Sequence, residues 1–109
     1  MRRIAAHYVW FRQVLPLHYV EMDDKGGLVG IYPLMEEIAQ TEFVDGVLIP
    51  VPEGECVDTP TAMLKDWKIL TAKVSIGDQV TLYRLGGLPL SAAKFGTKDG
   101  CGDGYIQRL

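Results

Sequence analysis

Histidine and cysteine are both scarce, with two of each in 109 residues. His7 and His18 fall near the start, Cys56 near the middle and Cys101 near the end, and no Cys-x-x-Cys pair occurs. That spacing excludes a metal knuckle and a disulfide-rich scaffold, so both thiols are expected free. Basic residues are not in surplus either: 11 Lys and Arg face 14 Asp and Glu, for a net charge of −3. A polyanion-binding surface needs cations gathered on one face, so no nucleic-acid partner is expected. Apolar runs are short, and none approaches the roughly 18 residues of a membrane span. Met1-Arg2-Arg3 opens like a secretory signal, but His7, Arg12 and Gln13 interrupt the apolar run and no small-x-small cleavage site follows. The expectation is a cytoplasmic, reduced protein with no membrane partner.

What remains is ordinary in bulk. Hydrophobic residues make up 48% and charged residues 23% of the chain, as in a soluble globular domain. The chain also exceeds the roughly 70 to 80 residues below which a core usually needs extra support. One domain spanning residues 1 to 109 is therefore expected.

Period-2 patterning dominates. "VLPLHYVEM", Val14 to Met22, reads as a strand with Leu15, Leu17 and Tyr19 on one face and Val14, His18, Val20 and Met22 on the other. Because both faces are largely apolar, cover on both sides is expected. Asp23, Asp24, Gly26 and Gly27 supply a tight turn into a second strand, Leu28 to Leu34. Pro16 and Pro33 favour edge or bulge positions. "MEEIAQ", Met35 to Gln40, is long enough only for a helical turn or two. A third strand runs from Phe43 to Val51. Asp58 or Thr59 followed by Pro60 predicts the start of a short helix reaching towards Trp67. Two more strands are read at Trp67 to Val74 and Gln79 to Leu85, joined as a hairpin through "SIGDQ". Residues 86 to 104 form a glycine-rich loop ahead of a last short strand, "YIQRL". Six or seven short strands with one or two short helical connectors predict an all-β fold, a small β-sandwich or partly open β-barrel.

A strand near "MRRIAAHYV", a turn of the "DDKGGLVGI" kind and then "FVDGVLIPV" together resemble the amino-terminal β-sandwich segment of the amidohydrolase superfamily, the metal-dependent deaminases and related hydrolases. In that family Gly-x-ϕ-ϕ-Pro, with ϕ apolar, introduces a pair of metal-binding histidines. Gly46-Val47-Leu48-Ile49-Pro50 fits its first half, but Val51 to Asp58 contains no histidine. The family's metal needs imidazole or carboxylate ligands at fixed positions to activate its water. Its catalytic barrel alone needs roughly 200 residues. "DWKILTAKVSIGDQVTLYRL" resembles the segment that returns from the barrel to complete the sandwich. The resemblance, which covers about two thirds of the chain, thus implies a sandwich whose barrel is replaced by the short connection from Glu53 to Leu64.

Other constellations are thinner. Asp99 to Gly104 has carboxylates spaced by glycine, as calcium loops do, yet too few oxygens for a six- to eight-ligand site. A glycine-rich turn is favoured over it. His7, His18, Cys56 and Cys101 have no zinc-site spacing. A nucleophile at Cys56 needs a histidine within hydrogen-bond reach, and Glu53 and Glu55 beside it disfavour the thiolate. A buried or inert cysteine is expected. Tyr8, Val9, Trp10 and Phe11 are four apolar residues in a row, so aromatic area falls on both sides of the strand and one side can meet a partner.

These observations lead to a non-catalytic small β domain serving in interaction or assembly. It needs no cofactor or metal, and the expected partner is another copy of itself, as a dimer through Tyr8 to Phe11. The alternative is a small-ligand or regulatory binding module; an enzyme built on Cys56 and a histidine is the third reading.

Overall fold

The computed structural model describes residues 2–35, 41–86 and 105–109. The chain runs β1 (Arg2–Trp10), β2 (Val14–Met22), β3 (Leu28–Pro33), β4 (Thr41–Pro52), α1 (Pro60–Ala72), β5 (Val80–Gly86) and β6 (Tyr105–Arg108). The strands form one mixed six-stranded sheet in the order β3-β2-β1-β4-β5-β6. β1 and β4 are parallel and every other neighbouring pair is antiparallel. The all-β expectation holds in this form, among the described residues a single unclosed sheet carrying one helix.

The sheet is strongly curled. Gly27, at the β2–β3 turn, bridges Gln79 just ahead of β5, although β3 and β5 stand four places apart in the sheet. Val80 N–H donates to Gly26 O at 3.0 Å, and Leu28 N–H to Asp78 O at 2.8 Å. The inside of this curl holds one core cluster, built on Ile4, Val9, Val20, Leu28, Leu48 and Leu82. The outer face carries the second cluster, in which Trp10, Val47, Ile49, Tyr83 and Leu85 pack under α1.

The helix is longer than sequence patterning suggests. Trp67 to Val74 was expected as a strand, and the structure places Trp67 to Ala72 in the last turns of α1. Its buried residues Met63, Trp67, Leu70 and Thr71 recur at i, i+4, i+7 and i+8, the spacing of one helical face. Ile69, 61% exposed beside the buried Thr71, blurs that pattern into an apparent alternation. Of the two candidate caps the structure uses Thr59, whose Oγ1 accepts from Ala62 N–H at 3.1 Å, with Pro60 opening the helix. The "SIGDQ" turn is present, with Ser75 N–H donating to Asp78 Oδ2 at 2.9 Å, but it joins the helix to β5 and makes no hairpin. Arg12 ties the far end of α1 to the β1–β2 turn: its N–H donates to Thr71 Oγ1 at 2.8 Å and its guanidinium to Val74 O at 2.6 Å.

Strict alternation fails in β1 and β2. Ile4 and Ala6 face the inner cluster, as does Val9, whereas Tyr8 and Trp10 join the outer one. The facing slips by one at His7. Opposite it, Val44 pairs with Ala6 and Val47 with Tyr8, so Asp45 and Gly46 form a bulge against that single residue. In β2 the slip falls at Leu17, whose φ is 50°, and Leu15 shares the inner cluster with Val20 and Met22. Reading Leu15 and Val20 on opposite faces is thereby corrected. So is the expected cover on both sides of β2, because only Val20 and Met22 of that strand are buried. Pro16 pairs with Tyr8 beyond the end of β3, and Pro33 closes β3 at the sheet edge, both positions where a missing N–H is harmless. The expected connector at Met35 to Gln40, apart from Met35, and the glycine-rich loop beyond Gly86 lie outside the described residues.

Candidate functional site

α1 covers the outer face only over β4, β5 and the end of β1. Nearer the start of β1, the pairing registers line up Tyr32 on β3, Tyr19 on β2, Ala5 on β1 and Phe43 on β4 in one row across four strands. All four have the facing opposite to Ile4, Val20 and Ile31, so the row lies on the outer face. Tyr19 and Tyr32 pack with ring centroids 5.5 Å apart, and His7 meets Phe43 edge to face at 5.2 Å. Ala5 is closed over, while Tyr32 stays 41% and Phe43 51% exposed. Tyr32 lies flat along its own strand, over Gly30, where any Cβ would collide with the ring. The result is a row with exposed rings at its two ends, Tyr32 and Phe43, and a buried Ala5 between, which no described element covers.

The neighbouring row is Gly30, Glu21, Arg3 and Thr41. Arg3 Nε stands 3.6 Å from Glu21 Oε2, so a neutral ion pair borders the aromatics. His7 Nδ1 and Thr41 Oγ1 are buried with no hydrogen-bond partner. Buried polar atoms left this way carry a cost, and both flank Phe43.

The four residues expected to meet a partner divide differently. Val9 and Trp10 are fully buried in the chain's own core, Trp10 against Trp67 with centroids 4.8 Å apart. Tyr8 and Phe11 are half-buried and pack against the outer and inner clusters respectively. The four-residue apolar run is therefore core-forming in its middle, because β1 is an inner strand with apolar cover on both sides there. The exposed aromatics, Tyr32 and Phe43, come from two other strands, β3 and β4, and the half-buried Tyr19 from a third, β2. No signal in any single strand marks Tyr19, Tyr32 and Phe43 as neighbours; only the register does.

A second feature is a cleft of about 450 Å³ at the mouth of the curl. Met22, Val80 and Leu82 form its floor, with Arg2, Asp23 and Asp24 on its rim. Asp23 Oδ1 accepts from Gly27 N–H at 2.7 Å and Lys25 N–H at 2.9 Å. These donors, Gly27 first, hold its carboxyl below the ordinary carboxylate range. The carboxylate is thus occupied in shaping the β2–β3 turn. The floor residues are all at least nine-tenths buried, so the cleft offers a ligand little apolar contact.

Cys56 is exposed, contrary to the buried placement offered for it, and unpaired. Its Sγ donates to Asp58 Oδ1 at 3.4 Å, and that carboxylate pushes the thiol pKa up. Its thiolate should therefore appear at higher pH than in an unstructured peptide. Site-resolved alkylation should show the Cys56 rate rising later with pH than in the unfolded chain, and Asp58→Asn should bring the two profiles together. An earlier rise in the native protein would contradict this assignment. Among the described residues, no group of three or more His, Cys, Asp and Glu is placed to hold a metal ion. Cys101 and the Asp99 to Gly104 loop lie outside the described residues. No described helix is long and apolar enough to cross a membrane.

Comparison with known proteins gives no match to a family model, a curated protein or a solved structure.

Proposed function

We propose that the chain is a non-catalytic interaction and assembly module, and that the uncovered part of its outer face is the docking surface. The observation that carries this reading is the Tyr32–Tyr19–Ala5–Phe43 row, with two rings close to half exposed on a sheet face that α1 leaves bare. Exposed aromatic area is enriched at contact surfaces. The curl, with its Gly27–Gln79 bridge, favours a partly open barrel over two packed sheets. The likeness to an amidohydrolase sandwich belongs to the same proposal. In its favour, the Asp23 to Gly27 turn joins two strands, and Gly46 to Pro50 lies in a strand beside β5. Against it, the first part of the returning segment is helical.

A photoreactive residue introduced at position 43 or 32 should give adducts of discrete mass in cells, and one at Lys65 on α1 should not. Equal, diffuse labelling from all three positions would defeat the docking-surface reading. A small-ligand module using the cleft is the second reading, favoured by its volume of about 450 Å³ and opposed by its buried floor. Ligand-dependent melting tests it. The raised Cys56 pKa weighs against a thiolate nucleophile.

A further inference from the structure

We infer that Asp23 is the catch of a charge-dependent gate: its carboxylate keeps shut the seam between the β2–β3 turn and the turn after α1, and loss of its charge parts the two turns while the strand ladders stay paired. The inference goes beyond the docking surface, because it concerns the inner side of the sheet.

The seam is small and separate from the ladders. β3 has β2 as its neighbour in the sheet, and its start is joined to the β5 side by main-chain bonds between turns. Val80 N–H donates to Gly26 O at 3.0 Å, Leu28 N–H to Asp78 O at 2.8 Å and Gly77 N–H to Leu28 O at 2.7 Å. Leu28 is fully buried in the inner cluster with Met22, Val80 and Leu82. The last three also line the cleft at the mouth of the curl, so parting the turns opens that cleft onto the inner core.

Both turns are clasped by an aspartate. On the α1 side, Asp78 Oδ2 accepts from Ser75 N–H at 2.9 Å. On the other, Asp23 Oδ1 accepts from Gly27 N–H at 2.7 Å and Lys25 N–H at 2.9 Å, which fixes Gly26 and Gly27, the residues that meet Val80 and Gln79. The approach is so close that a Cβ on Gly27 would lie 2.6 Å from Asp23 Oδ2. A hydrogen bond to a carboxylate is about twice as strong as one to a neutral oxygen, so discharging Asp23 weakens both bonds of the clasp together. The charged groups around it are Asp24 and Lys25 in its own turn, the amino terminus and Arg2 at the start of β1, Arg108 of β6 on the same cleft, and Asp78 across the seam. Because the Gly27 and Lys25 donors hold the Asp23 carboxyl below the ordinary value of 3.8, the clasp is at full strength above that value. It is lost as the pH falls through the lower folded value.

Amide exchange of the purified full chain, followed by NMR from neutral pH to below 3.8, tests the gate. As the pH falls, protection at Leu28, Gly77 and Val80, corrected for intrinsic rates, should drop about fivefold or more relative to the β1–β4 ladder, the weight of a charged bond turned neutral. Asp23→Asn should show the lowered seam protection already at neutral pH and lose the acid step. Gly27→Ala, which displaces the carboxylate without discharging it, should also lower seam protection at neutral pH, and it carries the test if Asp23→Asn does not fold. Lys25→Ala keeps its backbone N–H and should behave as the parent. Seam and ladder amides that keep a constant ratio down to global unfolding overturn the inference, as does a folded Asp23→Asn or Gly27→Ala variant with the parent's seam protection. An acid step that survives in Asp23→Asn overturns it too, by moving the catch to another carboxylate such as Asp78. None of these outcomes bears on the docking surface, so the two readings fail separately.

Discussion

Replacing Gly46 by alanine is expected to cost about 2 to 6 kcal/mol, the sum of a strained backbone and an overpacked contact of about 1 to 3 kcal/mol each. Gly46 sits in the bulge opposite His7 with φ of 99°, a conformation closed to side chains. A Cβ there would also overlap the carbonyl oxygen of Leu85 and lie 3.2 Å from its carbonyl carbon and 3.3 Å from Gly86 Cα. All three are backbone atoms of β5, held by the Val47–Leu85 pairing, so none can swing away. Gly54 provides the control: its φ is 96°, but a methyl added there would meet nothing within 4 Å. Gly54→Ala should therefore show the conformational cost alone, about 1 to 2 kcal/mol. Urea unfolding of the three proteins separates the two contributions. Equal losses in the two variants would show that the β4–β5 contact contributes nothing.

Trp10→Ala should destabilise the chain by about 3 to 5 kcal/mol, the usual cost of emptying a buried large aromatic site. Trp10 is fully buried and stacks at 4.8 Å on Trp67 of α1. It is the largest side chain linking the helix to β1, and the cavity left beneath a helix held mainly on β4 cannot easily close. Trp10→Phe should recover more than half of the loss, because it restores most of the volume and an aromatic contact with Trp67. Denaturant unfolding followed by far-ultraviolet circular dichroism is the measurement. A Trp10→Ala loss below about 1 kcal/mol would mean that the helix docks through other contacts. The same variant bears on the expected interface at Tyr8 to Phe11, since a residue committed to the core changes stability at every protein concentration.

Several elements follow from local chemistry alone. The span Val14 to Met22, the glycine turn after it and the strand that starts at Leu28 were legible because β-rich alternation and turn residues act over a few positions. The helix start at Thr59 and Pro60 was legible for the same reason: a cap and a preset φ are properties of two adjacent residues. The helix end was not. "WKILTAKV" satisfies both a strand alternation and a helical face, and the choice is made by what Trp67, Leu70 and Thr71 pack against, which is the outer face of β4 and Trp10. Tertiary burial decides between two local patterns of similar merit.

The facing of β1 and β2 was hidden for a related reason. Period 2 holds only while the strand is regular, and the bulge at Asp45 and Gly46 with the positive φ at Leu17 shifts it midway. With that shift, Trp10 joins the outer cluster beneath α1, on the same face as Ala5, and leaves the side of Ile4 and Ala6. Composition and spacing by themselves determined that this chain would be rich in strands, with no Cys-x-x-Cys pair and with Gly46 to Pro50 inside one of the strands. The aromatic surface was decided only by the tertiary structure. Tyr32, Tyr19 and Phe43 lie on three strands, each with a separate local pattern, and hydrogen-bond register alone sets them side by side.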